Sequence, residues 1–250
     1  MQRLLSFFMV FGLLAAGGTA LQSYHRPQGI NEAPDGTNKM IALTFDDGPC
    51  STITTHILDT LEEVSGRATF FVLGERTQQH SDMLQRMVAQ GHEIGSHSWS
   101  HERLTRLSAD TLRRDLDKTA QAIEQYSGVA PRLMRPPYGA VNDRMKQHVD
   151  MPMIHWSIDS EDWRYCEQLC RNRSAEKRQR DFCDVVNSVV DYVQDGDIVL
   201  MHDLYAFTQD VADAIILELH HQGWQLVTVS ELFAAQGIEP QPGRVYYNAR

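Results

Sequence analysis

The chain has 250 residues, 42% apolar and 22% charged, with 16 glycines and 9 prolines. That balance excludes disorder, collagen and low-complexity arrays, and the length suffices for one large domain or two small ones. With 23 basic against 33 acidic residues the formal charge is −10, which argues against a nucleic-acid partner.

Residues 1–20 read as an export signal. Arg3 supplies a positive start, residues 4–16 form an uncharged apolar run, and Gly18 and Ala20 put small side chains three and one positions before a cut after Ala20. The alternative is an uncleaved anchor, because the uncharged stretch approaches a bilayer span; with cleavage, no stable membrane insertion is expected. Either way the rest of the chain is exported: secreted, periplasmic or in the cell envelope. Export gives Cys50, Cys166, Cys170 and Cys183 an oxidising setting in which disulfides form, with three pairings open. A four-cysteine zinc site lacks the paired CxxC spacing. Residues 21–38, polar and holding Pro27, Gly29, Pro34 and Gly36, read as a leader or linker.

From Lys39 onward apolar strands alternate with amphipathic helices. Strands are predicted over 40–45, 68–73, 93–96, 132–135, 153–158, 197–201 and 225–229, seven in all. One helical stripe joins Ile57, Leu58 and Leu61, closing near Gly66. A second joins Leu112, Leu116, Thr119, Ile123 and Tyr126, with Ser108 as N-cap and Gly128 as stop. Val185, Val189, Val190 and Val193 mark a third, and Val211, Ile215 and Leu219 a fourth that ends near Gly223. The charged segment 165–181 reads as a surface insertion stapled by its cysteines. Residues 39–236 form the main domain, and 237–250 a tail that packs over it or frays. The alternation points to a parallel α/β fold, either a barrel or a doubly wound sheet.

The unusual polar residues collect just after the predicted strands. TFDDGP spans 44–49, HSWSH 97–101, RPPYG 135–139, DSEDW 159–163, and LMH 200–202. In parallel α/β folds the C-terminal strand ends share one face, and function is built there. Adjacent carboxylates such as Asp46 and Asp47 repel one another, so a cation between them, or an exposed turn before Gly48-Pro49, are the two readings. His97 and His101, four apart, can converge on one metal or lie on the surface. One carboxylate with two histidines leaves a position open for water, as hydrolysis requires. Arg135 is suited to pair with a carboxylate, and His202 to be held as an acid by Asp162 or Asp203. Trp99, Tyr138, Trp163 and Tyr205 are suited either to stack on sugar rings or to pack.

Taken together and in this order, the five motifs resemble those of the polysaccharide deacetylases of carbohydrate esterase family 4, the NodB homology domain, over about residues 39–235. The resemblance implies a distorted (β/α) TIM-like barrel, usually of seven strands. It implies that Asp47, His97 and His101 hold a divalent metal, zinc first, with Co2+ or Mn2+ as alternatives. Asp46 would be the general base, oriented by Arg135, and His202 the general acid, oriented by Asp162. The backbone N–H of Tyr138 would help to hold the oxyanion, and Trp163 and Leu200 would line the pocket for the acetyl methyl. The implied partner is an N-acetylated polysaccharide, a cell-wall glycan or a chitin-like polymer, releasing acetate. An O-acetyl esterase acting on xylan and a non-catalytic glycan-binding member are the alternatives. Cys50, directly after the first motif, departs from the family pattern. A bond from it to Cys166 or Cys170 is expected to clamp two loops of the site.

Overall fold

The computed structural model describes residues 39–165 and 173–250. The expected signal and leader, and Cys166 and Cys170, lie outside the described residues.

The central strand is β1 (Met40–Asp46), a run of apolar residues buried almost throughout. Burial on both faces is the signature of a strand inside a parallel sheet covered by helices. It pairs in parallel with β2 (Thr69–Val72), and β2 pairs with β3 (Glu93–Ser96). Parallel bridges then run from Ser96 to Met134 and from Met134 to Met153 in β4 (Met153–Ile154). The same pass of chain continues into β5 (Ile158–Asp159), which pairs with β6 (Ile198–His202), which pairs with β1. The ladder therefore returns to its starting strand, and the parallel strands close into a distorted barrel. Closure brings every C-terminal strand end to one rim, where the five motifs lie.

Several expected strands are shortened. The fourth is reduced to one bridging residue, Met134, because Pro136 and Pro137 follow at once and carry no N–H to extend a ladder. The fifth is broken at 155–157 into β4 and β5. The seventh, β7 (Gln225–Leu226), stops after two residues and pairs with the start of β1. The expected strand at 227–229 is corrected here, since Val229 opens a helix. Thr228 Oγ1 accepts the Glu231 N–H at 3.2 Å and the Glu231 carboxylate accepts the Thr228 N–H at 2.9 Å. This reciprocal capping box outweighs the β-branched run.

The helices pack outside the barrel. α1 (Ser51–Glu63) buries Ile53, Ile57, Leu58 and Leu61, and α2 (Ser81–Ala89), which the periodicity did not flag, buries Leu84 and Met87. α3 (Ala109–Ser127) starts at Ser108, whose side chain accepts the Thr111 N–H, and ends at Gly128, whose φ of 84° suits glycine. The short α4 (Asp143–His148) is capped by Asn142. α5 (Ala175–Val190) begins inside the segment expected to be a surface insertion. Its Ser174 cap and its Val185–Val189–Val190 stripe carry the helix back through charged residues that face solvent. α6 (Ala206–His221) and α7 (Val229–Ala235) complete the set. No helix among the described residues is long and apolar enough to cross a membrane.

The residues after Gly237 do not fray. β8 (Val245–Tyr246) pairs in parallel with β4, Asn248 bridges Asp197, and the Ala249 N–H reaches the Gly196 carbonyl at 2.8 Å. β8 thus fills the gap between β4 and the base of β6. Cys50 and Cys183 carry free thiols. The partners expected for Cys50 in a clamp, Cys166 and Cys170, lie outside the described residues; the Cys50 side chain packs against the apolar cluster under α1.

Candidate active site

Register places the first two chemical groups. Asp46 closes β1 directly opposite His202, which closes β6. Parallel neighbours lie roughly 5 Å apart, so a carboxylate and an imidazole face the same opening.

Asp46 is 4% exposed, and its Oδ1 accepts a 2.8 Å hydrogen bond from Arg135 Nη1. Arg135 has no exposed surface and points into the barrel. Its guanidinium also donates to Thr44 Oγ1 at 2.7 Å, to the Ile154 carbonyl at 3.0 Å and to the His155 carbonyl at 2.9 Å, and it stacks on Phe71. A buried guanidinium is tolerable only when its donors are met in this way. It holds the Asp46 carboxylate in one orientation and leaves Oδ2 toward the histidines, 3.7 Å from His97 Nε2.

Asp47, His97 and His101 form the one group of potential metal ligands among the described residues, with ligand atoms within 4.8 Å of one another. Asp47 Oδ1 lies 3.3 Å from His97 Nε2 and 3.3 Å from His101 Nε2, and it is buried without a hydrogen-bond partner. Atoms about 2.0–2.1 Å from a shared tetrahedral ion stand roughly 3.3 Å apart. His97 Nδ1 donates to the Arg135 carbonyl at 2.7 Å, which fixes the tautomer and leaves Nε2 bare for a cation. Burial works against the charge on Asp47, yet the surrounding imidazoles of His97, His101 and His202 outweigh it and hold the carboxyl down to about 2. The donor set and its spacing fit a divalent ion such as zinc.

His202 is held from below by Asp162, which is fully buried. Asp162 Oδ1 accepts from His202 Nδ1 at 2.7 Å and Oδ2 from the His202 backbone N–H at 2.8 Å. Burial alone would lower the imidazole pKa; the Asp162 carboxylate overcomes it and pushes His202 up to about 9. The ring is therefore a cation at neutral pH, with Nε2–H free to donate. Of the two partners open from sequence, the structure selects Asp162.

Asp203 has a different place, which sequence reasoning did not assign. Its Oδ2 accepts from Thr54 Oγ1 at 2.5 Å, and a Cβ on Gly48 would come within 2.1 Å of it. Glycine at 48 lets the first-motif loop lie against this buried carboxyl. The sequence shows only an acidic residue directly after His202; Gly48 is 155 residues away, and only tertiary contact joins them.

The loops are strained where they carry the motifs. Asp47, Ser98, His101, Tyr138 and Glu161 have φ between 58° and 75°, five of the six non-glycine residues with positive φ among those described. Each costs on the order of 1–3 kcal/mol and persists only where the surroundings impose it. The Ser98 hydroxyl, for one, accepts the His101 N–H at 3.1 Å. Tyr138 and Trp163 are 59% and 45% exposed at the rim, whereas Leu200 is buried. Trp99 is committed to packing: it lies against Gly74 and under the Lys118 ammonium, 3.3 Å from its ring centre. All ten residues named from the sequence for the site thus lie at the C-terminal rim of the barrel or in the loops that leave it.

Comparison with known proteins agrees with this arrangement. A family model described as polysaccharide deacetylase matches residues 33–151. The chain is 44% identical over 201 residues to the peptidoglycan-N-acetylmuramic acid deacetylase PdaC of Bacillus subtilis, covering 80% of this chain and 40% of that protein. It is 34% identical over 209 residues to a peptidoglycan-N-acetylglucosamine deacetylase of Bacillus cereus, covering 80% of this chain and 91% of the relative. A solved family 4 acetyl xylan esterase from Clostridium thermocellum, in complex with a cobalt ion, superposes with a TM-score of 0.73 at 33% identity, covering 84% of this chain and 98% of that one. The chain spans less than half the length of the Bacillus subtilis relative. With a fold shared with the solved esterase and 34% identity over 91% of the Bacillus cereus relative, the protein belongs to the polysaccharide deacetylase family.

Proposed function

We propose that the protein is an exported, metal-dependent hydrolase that removes N-acetyl groups from N-acetylglucosamine residues of a cell-wall glycan and releases acetate. The observation that carries this reading is the strand register that sets Asp46 beside His202 at the rim holding the Asp47–His97–His101 cluster.

A divalent ion held by Asp47, His97 and His101 would polarise the acetyl carbonyl and make water more acidic. The chain's own groups supply the rest. Asp46, fixed by Arg135, takes the proton from the attacking water. The Tyr138 N–H donates to the carbonyl oxygen as negative charge develops on it. His202 donates its Nε2 proton to the departing nitrogen, which is a poor leaving group until protonated, and Asp162 keeps that proton available at neutral pH. Trp163 and Leu200 enclose the acetyl methyl. The naming of two Bacillus relatives as peptidoglycan deacetylases and the cobalt ion of the xylan esterase support this reading.

The test is metal analysis together with acetate release from peptidoglycan, chitin oligomers and acetylxylan. Release from the first or second substrate, dependent on bound metal, is expected. Release from acetylxylan alone makes the protein an O-acetyl esterase, and no release from any by the metal-loaded protein refutes the proposal.

A further inference from the structure

The rim of the site carries a cation that the proposed reaction does not use. Arg103 follows the second motif by two residues and is exposed, and its guanidinium lies over the Tyr138 ring at 4.7 Å from the centroid. The same ring is met edge-on by the metal-site residue His101, 4.5 Å between centroids. Tyr138 thus contacts both the metal-site residue His101 and Arg103, which places the guanidinium at the rim of the site.

The position is built rather than incidental. Leu104, the next residue, is 1% exposed and anchors the loop. The Thr105 carbonyl accepts from Asn142 Nδ2 at 3.1 Å, and the Leu107 carbonyl accepts from Arg144. Both ties come from the segment just beyond the Tyr138 loop, so Arg103 and Tyr138 are held as one unit. Among the described residues no carboxylate pairs with Arg103. Its neighbour Glu102 acts elsewhere: burial raises the Asp115 pKa and Glu102 adds to that rise, which puts the Glu102 charge on the α3 side. A guanidinium stacked on an aromatic face keeps its N–H edge free for an oxyanion, and carboxylate is the group it binds with two parallel hydrogen bonds. On a chain of net charge −10 an anionic glycan is repelled at long range, so a fixed local cation has a large relative effect.

We infer that Arg103 is a specificity-determining residue that reads a carboxylate on, or one sugar away from, the N-acetylated residue. The favoured substrate class is then a carboxylate-bearing amino-sugar polymer, such as one with the lactyl ether of muramic acid, over an uncharged chitin chain. This rests on the deacetylase reading for its catalytic readout, but binding tests it independently.

The experiment compares wild type, Arg103→Gln and Arg103→Lys on two probes: a peptide-free tetrasaccharide of alternating N-acetylglucosamine and N-acetylmuramic acid, and chitotetraose. Calorimetric affinity and the kcat/KM for acetate release are both measured. Wild type is expected to prefer the muramyl probe, with Arg103→Gln reducing that preference about tenfold, chiefly through KM, and Arg103→Lys retaining part of it. Added salt should weaken muramyl binding in wild type and leave Arg103→Gln nearly flat. Equal affinity of wild type for the two probes overturns the inference. So does a preference unchanged within twofold in Arg103→Gln, or an equal loss on both probes, which would mean that Arg103 only props Tyr138. Absence of acetate release from the metal-loaded wild type refutes the deacetylase reading alone, and the binding preference still decides the role of Arg103.

Discussion

Replacing Asp162 by Asn perturbs one charge and nearly nothing else in volume. The carboxylate accepts two hydrogen bonds from His202, one from Nδ1 at 2.7 Å and one from the backbone N–H at 2.8 Å. A carboxamide has a single acceptor oxygen, so one of those donors must face its NH2 group. With that negative charge gone, burial is countered only by the carboxylates of Asp46 and Asp47, and the ring should titrate well below the wild-type value of about 9. The wild-type rise from 6.5 to about 9 corresponds to roughly 3 kcal/mol of preference for the charged ring. At pH 7–8 the proton donor is then largely lost, and turnover should fall about a hundredfold. The assay is acetate release from pH 5 to 10. Wild type should keep its donor until pH rises through about 9, whereas the variant should lose activity at distinctly lower pH and recover part of it on acidification. The same sign holds for stability: the pair's contribution is complete below 6.5 and fades as pH rises through 9. An alkaline limb that coincides with wild type, or turnover reduced less than about threefold at pH 8, would refute the assignment of His202 as a charged acid held by Asp162.

Arg135→Met should leave the Asp46 carboxylate and two barrel carbonyls unpaired in a buried site, costing about 3–5 kcal/mol in urea unfolding; a wild-type midpoint would contradict this. Gly48→Ala should lower the Tm by forcing a Cβ onto Asp203, an overpacking cost of about 1–3 kcal/mol. Adding Asp203→Ala should recover part of the loss, and strict additivity of the two changes would rule out the contact. Dialysis against a chelator should abolish acetate release and lower the Tm, and Zn2+, Co2+ or Mn2+ should restore both. Asp47→Ala should not respond to the added metal, and full metal occupancy in that variant would exclude Asp47 as a ligand. Asp46→Asn should instead keep its metal and lose on the order of 10²–10⁴ in turnover.

Much of this was legible in the chain itself. Ser108 and Gly128 bound a helix because a hydroxyl that accepts an N–H and a residue that adopts positive φ are local properties. The run at 40–45 is a buried strand because only a strand covered on both faces tolerates continuous apolar side chains. The motifs follow the strands, so a shared rim could be expected before any contact was known.

What remained was decided by contacts between distant residues. The residue pattern by itself left Asp162 and Asp203 open as partners for His202, and only the resemblance named Asp162; the barrel brings Asp162 under the imidazole and Asp203 under Gly48. Arg135 could have been a surface charge, and closure of the strand ring buries it against Asp46 and two carbonyls 19 and 20 residues away. The tail joins the sheet as β8 because β4 and the base of β6 leave a gap with unpaired backbone groups, which no local pattern in 237–250 reveals. Composition, periodicity and motif order thus determined the class of fold and the residue types of the site. Their pairing came only from closure of the barrel, because a buried charge is stable solely beside the one neighbour that satisfies it, and that neighbour is chosen in space rather than along the chain.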